Sequence, residues 1–350
     1  MSTAFSIEGR KIGDDARCFV IAEAGINHNG DLSLARKLIQ CAIDVGCDAV
    51  KFQTYSVEHL VSPTAPMADY QARNTGSTES QADMLLRCQL TLQDHKVLQA
   101  ECKRGGIIFL STPFDKPSLD LLLTLKVTAL KVSSGDITNT PFLKQLAASR
   151  LPLILSTGMA NVEEIEAAAE TIKAAGCNAY AFLHCVSAYP ADPVDCNLRA
   201  MAGMAEKLNV PIGFSDHTTG IDIALASVAM GASILEKHIT IDRTLPGPDH
   251  AASIEPHELK ALMHGVRRIH QAFGSGEKNP RAVESSTADV ARKSLHISQA
   301  ICAGEIILEE NIVAMRPGTG ISPRKLSDVA GRRASQDIPA GAMLREDMLG

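Results

Sequence analysis

The sequence predicts an α/β protein: a (β/α)₈ barrel of the TIM type, followed by a small C-terminal β-rich domain. Apolar strand-like runs alternate strictly with helix-like stretches, which favours a parallel sheet. About eight such units fit in roughly 260 residues, which is typical of a closed barrel rather than an open doubly wound sheet. Polar side chains stand where the runs end, and a barrel gathers those positions at one mouth.

The first predicted unit is a strand, a turn and a helix. The apolar run 18–22 ends in Glu23, and Asp31 caps a periodic helical stretch that stops at Gly46. No G-x-G-x-x-G pattern follows this run, which weakens a dinucleotide-binding alternative. In the second unit a long polar segment, from residue 54 to about 80, separates strand from helix, and loops of that length are usually functional or mobile.

The remaining units repeat this pattern. The predicted strands are 49–53, 107–111, 129–133, 153–156, 180–184, 212–214 and 234–239. The predicted helices are about 81–104, 117–126, 141–149, 162–175, 198–208, 220–230 and 256–273. The side chains at the strand ends carry chemistry: Glu23; Lys51 and Gln53; Ser111 and Thr112; Lys131 and Ser134; Ser156 and Thr157; His184; Ser215, Asp216 and His217; Glu236 and His238.

The composition changes after the last predicted barrel helix. We predict a barrel domain at 1–273, a polar, turn-rich linker at 274–293 and a β-rich domain at 294–350. Within the last domain, residues 301–307 resemble residues 338–344, and each copy is typical of two short strands joined by an Ala-Gly turn.

Composition limits the possible partners. The chain has 350 residues with 34 basic and 40 acidic side chains, and a net charge of −6 is too mild to indicate nucleic acid. No segment reaches the ~18 apolar residues of a membrane span, and the N-terminus lacks the pattern of a secretion signal. Nine scattered cysteines without a C-x-x-C pair indicate reduced thiols and disfavour a zinc ribbon. We expect a cytoplasmic protein with a small-molecule partner.

His217 and His238 stand one strand-helix-strand unit apart. If their strands are parallel neighbours, both imidazoles project from the same end of the sheet. Two convergent neutral imidazoles suit a divalent transition metal, which would polarise a carbonyl oxygen. The alternative, two unrelated polar residues at loop starts, stays open. We expect Asp216 to support a turn rather than to act as a third ligand.

Lys51 and Lys131 end two different strands, and hydroxyl residues accompany them, namely Ser111, Thr112, Ser134 and Ser156. This set suits an anion with several acceptor oxygens, such as a phosphate-bearing carboxylate. A sulphate site, a structural role or a Schiff-base lysine stays possible. A metal beside an anion clamp suggests carbon-carbon bond formation. Glu23, Asp136 and Asp249 suit proton handling or sugar hydroxyls, although each alone also suits a helix cap or salt bridge.

Eight segments of the barrel resemble the sialic acid synthase family: AEAGINHNGD (22–31), DAVKFQ (48–53), FLSTPFD (109–115), KVSSGD (131–136), ILSTGM (154–159), LHCVSAYP (183–190), GFSDHT (213–218) and LEKHITIDRTLPGPDHAAS (235–253). The tail, with RPGTGI (316–321), resembles that family's antifreeze-like, or SAF, domain. The resemblance covers nearly the whole chain.

The resemblance implies a transferase that condenses phosphoenolpyruvate with an open-chain N-acetylated hexosamine, giving a nine-carbon 2-keto acid and phosphate. It implies that His217 and His238 hold Mn²⁺, with Mg²⁺ or Co²⁺ as alternatives, and that Glu23 and Asp136 handle protons or orient water. Implied phosphoenolpyruvate contacts are Lys51, Thr112, Lys131, Ser134, Ser156 and Ser215. Implied sugar contacts are Gln53, Asn74, Ser187, Tyr189 and Asp249, with Arg316 reaching the barrel of the other subunit in a domain-swapped homodimer.

The acceptor sugar is less closely defined. SSGD stands where many neuraminate synthases have GSGE, and Ser187 stands where some members have Asn, whereas PGPDHAAS is common to neuraminate and legionaminate synthases. We expect N-acetylmannosamine and the product N-acetylneuraminate, with 2,4-diacetamido-2,4,6-trideoxymannose and legionaminate as the alternative. A Schiff-base keto-acid aldolase using Lys51 or Lys131, and a non-enzymatic carbohydrate-binding protein, are the competing functions.

Overall fold

A computed structural model describes residues 4–62, 65–67, 71–72 and 80–350. The chain divides into two compact units, Met1–Phe273 and Gly274–Gly350. Eight parallel strands form a nearly closed barrel in the first unit, in the order β5-β4-β3-β10-β9-β8-β7-β6. The strands are β3 (Phe19–Gly25), β4 (Ala49–Thr54), β5 (Ile108–Pro113), β6 (Leu130–Val132), β7 (Leu153–Ser156), β8 (Tyr180–Cys185), β9 (Ile212–Asp216) and β10 (Ile234–His238). The predicted fold class is confirmed.

Helices connect successive strands around the barrel. They are α1 (Leu32–Val45), α2 (Val57–Leu60), α3 (Gln81–Cys88), α4 (Leu92–Gly105), α5 (Lys116–Thr124), α6 (Thr140–Ala148), α7 (Val162–Ala174), α8 (Ala200–Leu208), α9 (Asp222–Ala229) and α10 (Pro256–Phe273). Asp31 caps α1 and Gly46 ends it in the left-handed conformation, as the sequence predicts. Within the described ranges, no helix is both long and apolar enough to cross a membrane.

The single helix predicted at about 81–104 is wrong, because the chain forms two helices there. The Thr91 side chain accepts from the Asp94 amide, and the Asp94 carboxylate accepts from the Thr91 amide. This capping box satisfies the first amides of α4 and therefore starts a new helix. The apolar periodicity continues across the break, which explains why periodicity alone merges the two.

A hairpin that the sequence did not predict closes the N-terminal end of the barrel. Its strands, β1 (Phe5–Ile7) and β2 (Arg10–Ile12), are antiparallel. Ile7 and Ile12 are buried in one apolar cluster with the first inward-facing residues of the barrel strands, including Phe19. Strands of three residues are too short to show a clear alternation.

Alternation along the strands decides which side chains reach the barrel interior. On β4, Ala49 belongs to the inner apolar cluster, whereas Val50 and Phe52 belong to the cluster beneath the helices. Lys51 and Gln53 therefore face inward. The register sets His238 beside Glu23, and Glu23 beside Lys51, across β10, β3 and β4.

The second unit has its own apolar core and a two-stranded antiparallel sheet. Its elements are α11 (Ser285–Ala291), β11 (Ser294–Ile297), β12 (Ile312–Met315) and α12 (Leu326–Val329). The two similar segments predicted from the sequence pair with each other, since Ile301 and Ile338 exchange backbone hydrogen bonds of 2.9 and 2.8 Å. Helix α11 lies in the segment predicted as a linker.

Candidate active site

A cavity of about 500 Å³ opens where the barrel strands end. The structure brings most of the predicted site residues into its lining. These are Glu23, Lys51, Gln53, Thr112, Lys131, Ser134, Ser156, Ser187, Tyr189, Ser215, His217, His238 and Asp249. They come from all eight barrel strands or the loops that follow them, so the barrel converts scattered strand ends into one site.

Three of the predicted site residues do not line the cavity. Asp136 is absent from the cavity lining, and its carboxylate accepts a hydrogen bond of 3.0 Å from Asn139. Ser111 faces the helices and hydrogen-bonds to Thr54, because the residues on either side of it face inward. Arg316 belongs to the second unit, where its Nε donates to the Ala291 carbonyl. Asn74 lies outside the described residues.

Two buried lysines and two buried carboxylates form the floor of the cavity. Lys51 Nζ lies 2.8 Å from Glu23 Oε2 and 3.7 Å from Glu236 Oε2. Lys131 Nζ lies 3.8 Å from Glu236 Oε1 and donates to Ser156 Oγ at 2.5 Å. Glu236 therefore sits between the two cations.

The two carboxylates have opposite pKa shifts. Burial raises the pKa of Glu23 to about 7, against the attraction of Lys51. Burial acts in the same direction on Glu236, but Lys131 and Lys51 outweigh it and lower its pKa to about 2. Near neutral pH, Glu236 is thus a fixed anion while Glu23 exchanges its proton, the property of a general acid or base.

Hydroxyls line the cavity beside Lys131. This hydroxyl row consists of Ser134, Ser156 and Ser187. The Gly158 amide donates to Ser134 Oγ at 3.0 Å. A Cβ at Gly158 would lie only 2.2 Å from Ser187 Oγ and 3.0 Å from Ser134 Oγ. With the two ammonium groups, the hydroxyl row supplies donors for an anion that has many oxygens.

The two histidines meet on the other side of the floor, with ring centroids 5.4 Å apart. His217 Nδ1 lies 2.6 Å from the Val186 carbonyl, which only accepts, so Nδ1 carries the proton and Nε2 keeps a free lone pair. His238 Nδ1 is buried and has no hydrogen-bond partner among the described residues, and Asp249 Oδ2 lies 3.9 Å from it. Tyr189 packs on both rings, with centroid distances of 4.2 and 5.8 Å.

The histidine pair fits a divalent cation. Burial lowers the pKa of both imidazoles, and the neighbouring His217 ring lowers the pKa of His238 further, so both are neutral near pH 7. In the described part of the chain, no group of three or more His, Cys, Asp or Glu side chains is placed so that it could hold a metal ion. His217 and His238 are therefore the candidate ligands for such an ion.

Sequence reasoning missed two features of the cavity. Glu236 was seen at a strand end but was assigned no role, although it shares a face with His238 two residues later. The other is an apolar wall, formed by Ile26, Leu60, Val61, Leu85 and Phe114, with the amides of Gln71 and Gln81 beside it. These residues come from loops and from helices that include α2 and α3, so only the folded chain brings them together.

Two family models match different parts of this chain. The model of the NeuB family matches residues 38–278, and that of the SAF domain matches residues 292–350. An N,N'-diacetyllegionaminic acid synthase of Legionella pneumophila is 43% identical over 95% of this chain and 94% of its own length. An N-acetylneuraminate-9-phosphate synthase of Mus musculus is 34% identical over 97% and 94%. The crystal structure of a Leptospira borgpetersenii N-acetylneuraminic acid synthetase, with citrate bound, has a TM-score of 0.73 at 38% identity and covers 82% of this chain and 95% of that one.

Proposed function

The chain belongs to the NeuB family, and from this premise we propose that it is a phosphoenolpyruvate-dependent synthase of nonulosonic acids. It condenses phosphoenolpyruvate with an open-chain N-acetylated hexosamine and releases phosphate. The observation that carries the proposal is the floor of the cavity, where Lys51 and Lys131 lie beside the neutral pair His217 and His238. The lysines form an anion site for phosphoenolpyruvate, and the adjacent imidazoles serve the aldehyde of the sugar.

Lys51 and Lys131 bind the phosphate and carboxylate of phosphoenolpyruvate. Both lysines are almost fully buried, so each ion pair with the substrate is only weakly screened by water. The hydroxyl row, Thr112 and Ser215 donate the further hydrogen bonds that fix its orientation. Glu236 holds the two ammonium groups in place before substrate arrives.

The condensation forms a carbon-carbon bond to the aldehyde and a carbon-oxygen bond to water, and it breaks the bond between C2 and the phosphate oxygen. The C3 carbon of phosphoenolpyruvate attacks the aldehyde carbon, and the aldehyde oxygen takes a proton. Water adds at C2 and loses one proton, and the tetrahedral adduct then expels phosphate, which takes the second proton of that water as the ketone forms. Glu23 is proposed as the group that moves these protons, because its pKa of about 7 permits both donation and acceptance. Asp136 is the weaker candidate for this proton transfer, since its carboxylate accepts a hydrogen bond from Asn139.

We propose that His217 and His238 hold a divalent ion, Mn²⁺ first and Mg²⁺ or Co²⁺ as alternatives. When bound, such an ion supplies Lewis-acid polarisation of the sugar aldehyde. His217→Ala and His238→Ala are each expected to abolish condensation while the circular dichroism spectrum stays unchanged. Full metal-dependent turnover by His217→Ala would contradict this role.

For the acceptor we favour 2,4-diacetamido-2,4,6-trideoxymannose over N-acetylmannosamine. The relative named for diacetyllegionaminic acid is 43% identical, against 38% and 34% for those named for neuraminic acid or its phosphate. The apolar wall beside two Gln amides suits the methyl and amide groups of a second acetamido substituent. Gln53, Ser187, Tyr189 and Asp249 remain as contacts for the sugar hydroxyls.

A parallel assay with both sugars tests the function. Phosphate release and product mass are measured with phosphoenolpyruvate, Mn²⁺ and one sugar at a time, with EDTA added as a control. We expect release that depends on sugar and metal, and a higher kcat/KM with the diacetamido sugar. Absence of phosphate release with both sugars would refute the synthase, whereas preference for N-acetylmannosamine would refute only the choice of acceptor.

We also infer a homodimer in which Arg316 reaches the barrel of the other subunit and binds the N-acetyl group. The support is an exposed guanidinium in a domain that matches the SAF model. Subunit complementation tests this. Arg316→Ala and Lys131→Met are each expected to be inactive, and a mixture that exchanges subunits should regain activity. A mixture that stays inactive although subunits exchange would contradict the inference.

A further inference from the structure

A buried ion pair stands directly before the two histidines, on the opposite face of the barrel strands. Asp216 on β9 pairs in register with Lys237 on β10. Lys237 Nζ lies 2.7 Å from Asp216 Oδ2, and both side chains are 0% exposed. His217 and His238 are the next residues along the chain, so each histidine follows one member of the pair.

The ion pair also fixes the chain beyond β9. Asp216 Oδ1 accepts two hydrogen bonds of 2.8 Å from Thr218, one from the amide and one from the hydroxyl. Lys237 Nζ donates to the Thr218 carbonyl at 2.5 Å. His217 therefore lies between two residues that are both tied to β10.

The inner face carries a matching contact one residue earlier. Ser215 pairs in register with Glu236, and its hydroxyl donates to Glu236 Oε1 at 2.8 Å. Strand register determines which face each side chain occupies, and a slip of one residue would turn His217 away from the cavity. Polar pairs on both faces therefore define a single register for the histidine-bearing strands.

Stability alone gives a weak reason for such a pair. Burying two charges costs their free energy of hydration, and their mutual attraction offsets this cost only when the geometry is good. Replacing such an ion pair with apolar side chains of similar size often leaves a protein equally stable. Buried ion pairs are best attested as devices that select one arrangement. The arrangement selected here is the one that brings both imidazoles to the cavity.

We propose that Asp216 and Lys237 are positioning residues that set the separation of the His217 and His238 imidazoles and thereby the metal affinity of the site. This inference rests on the proposed metal role of the two histidines. Both carboxylate oxygens of Asp216 bond to Thr218 or Lys237 on the face of the strand opposite the cavity, so Asp216 acts through its neighbours and not as a ligand.

Metal affinity measured without substrate tests the inference. Co²⁺ is titrated into metal-free protein and followed by its visible absorption. The double variant Asp216→Asn/Lys237→Met removes both charges together, which avoids an unpaired buried charge. We expect its Co²⁺ dissociation constant to rise about 10- to 100-fold, the range for residues that orient metal ligands. Circular dichroism verifies the fold.

The matched control is Asp48→Asn at the other end of the barrel. Asp48 is also buried, and it accepts hydrogen bonds from Arg10 and Arg17. This variant is expected to lose stability while its Co²⁺ affinity stays within about twofold of the parent. Its contacts, which include the Val20 amide, lie at the N-terminal end of the strands, and Val20 pairs with Leu235, before the histidine in the register.

A double variant that folds and binds Co²⁺ within about twofold of the parent overturns the positioning role alone. If the double variant fails to fold, Thr218→Val decides, since it removes one hydrogen bond to Asp216; a roughly threefold weaker affinity supports the proposal and unchanged affinity overturns it. If the parent protein binds no Co²⁺, or if His217→Ala binds Co²⁺ as tightly as the parent does, both this inference and the proposed metal role are overturned.

Discussion

Gly158 lies where any larger side chain would collide with the hydroxyl row. We expect Gly158→Ala to raise the KM for phosphoenolpyruvate about tenfold, because the new methyl group displaces Ser134 and Ser187 from the anion. Steady-state kinetics with varied phosphoenolpyruvate measures the effect. Gly203→Ala in α8, where a Cβ meets no atom within 4 Å, is the control. An unchanged KM in Gly158→Ala would show that the hydroxyl row does not bind this substrate.

Glu23 should make folding stability depend on pH. Its pKa rises from an ordinary 4.5 to about 7 on folding, so the unfolded chain loses this proton first and stability falls as pH rises between these values. Glu23→Gln removes that loss. The Tm difference, variant minus parent, is therefore expected to be more positive at pH 8 than at pH 5. Thermal unfolding at both pH values measures it, with exposed Glu206→Gln as the control. A difference independent of pH would contradict the pKa shift.

The placement of single residues was partly predictable from alternation. Lys51, Lys131, His217 and His238 end apolar runs, and their convergence follows once the strands are parallel neighbours. Alternation also places Ser111 on the outer face, although residue type alone suggested the anion site. The pKa values of Glu23 and Glu236 were beyond prediction, because they depend on distances across β3, β4 and β10 that the sequence does not contain.

At the scale of elements, α4 depends on its cap. Thr91→Ala is expected to cost about 1 kcal/mol of unfolding free energy, because it leaves the first amides of the helix unsatisfied. Urea denaturation measures the loss. Thr124→Ala, where the hydroxyl bonds to a carbonyl in its own helix, is the control and should change stability less. Equal losses in the two variants would show that the capping box does not define the start of α4.

Elements with long apolar periods were predicted well, and those defined by local polar contacts were not. The barrel strands and helix α1 follow from periodicity and from Asp31 and Gly46 as caps. The break between α3 and α4 depends on one capping box. The β1–β2 hairpin depends on two isoleucines that are buried only because the barrel end is there to receive them.

For the whole molecule, the fold class followed from the alternation of strands and helices, whereas the cavity walls did not. The floor of the site is built from strand ends that are fixed by topology. The apolar wall is built from Ile26, Leu60, Val61, Leu85 and Phe114, which lie on three loops and two helices. Their meeting depends on tertiary packing, so the acceptor sugar was the least predictable part of the function.

The hairpin at the N-terminal end of the barrel has a consequence for the order in which substrates bind and products leave. Because Ile7 and Ile12 fill the N-terminal end, we expect molecules to reach the described floor from the mouth, and Lys51 and Lys131 lie on that floor almost fully buried. Under the proposed function we expect phosphoenolpyruvate to bind first and the sugar to cover it, so that phosphate leaves last. We expect product inhibition by phosphate to be competitive with phosphoenolpyruvate, and inhibition that is competitive with the sugar instead would contradict this order. A barrel that is closed at one end therefore favours an ordered mechanism, in which the substrate that binds last is the first to leave as product.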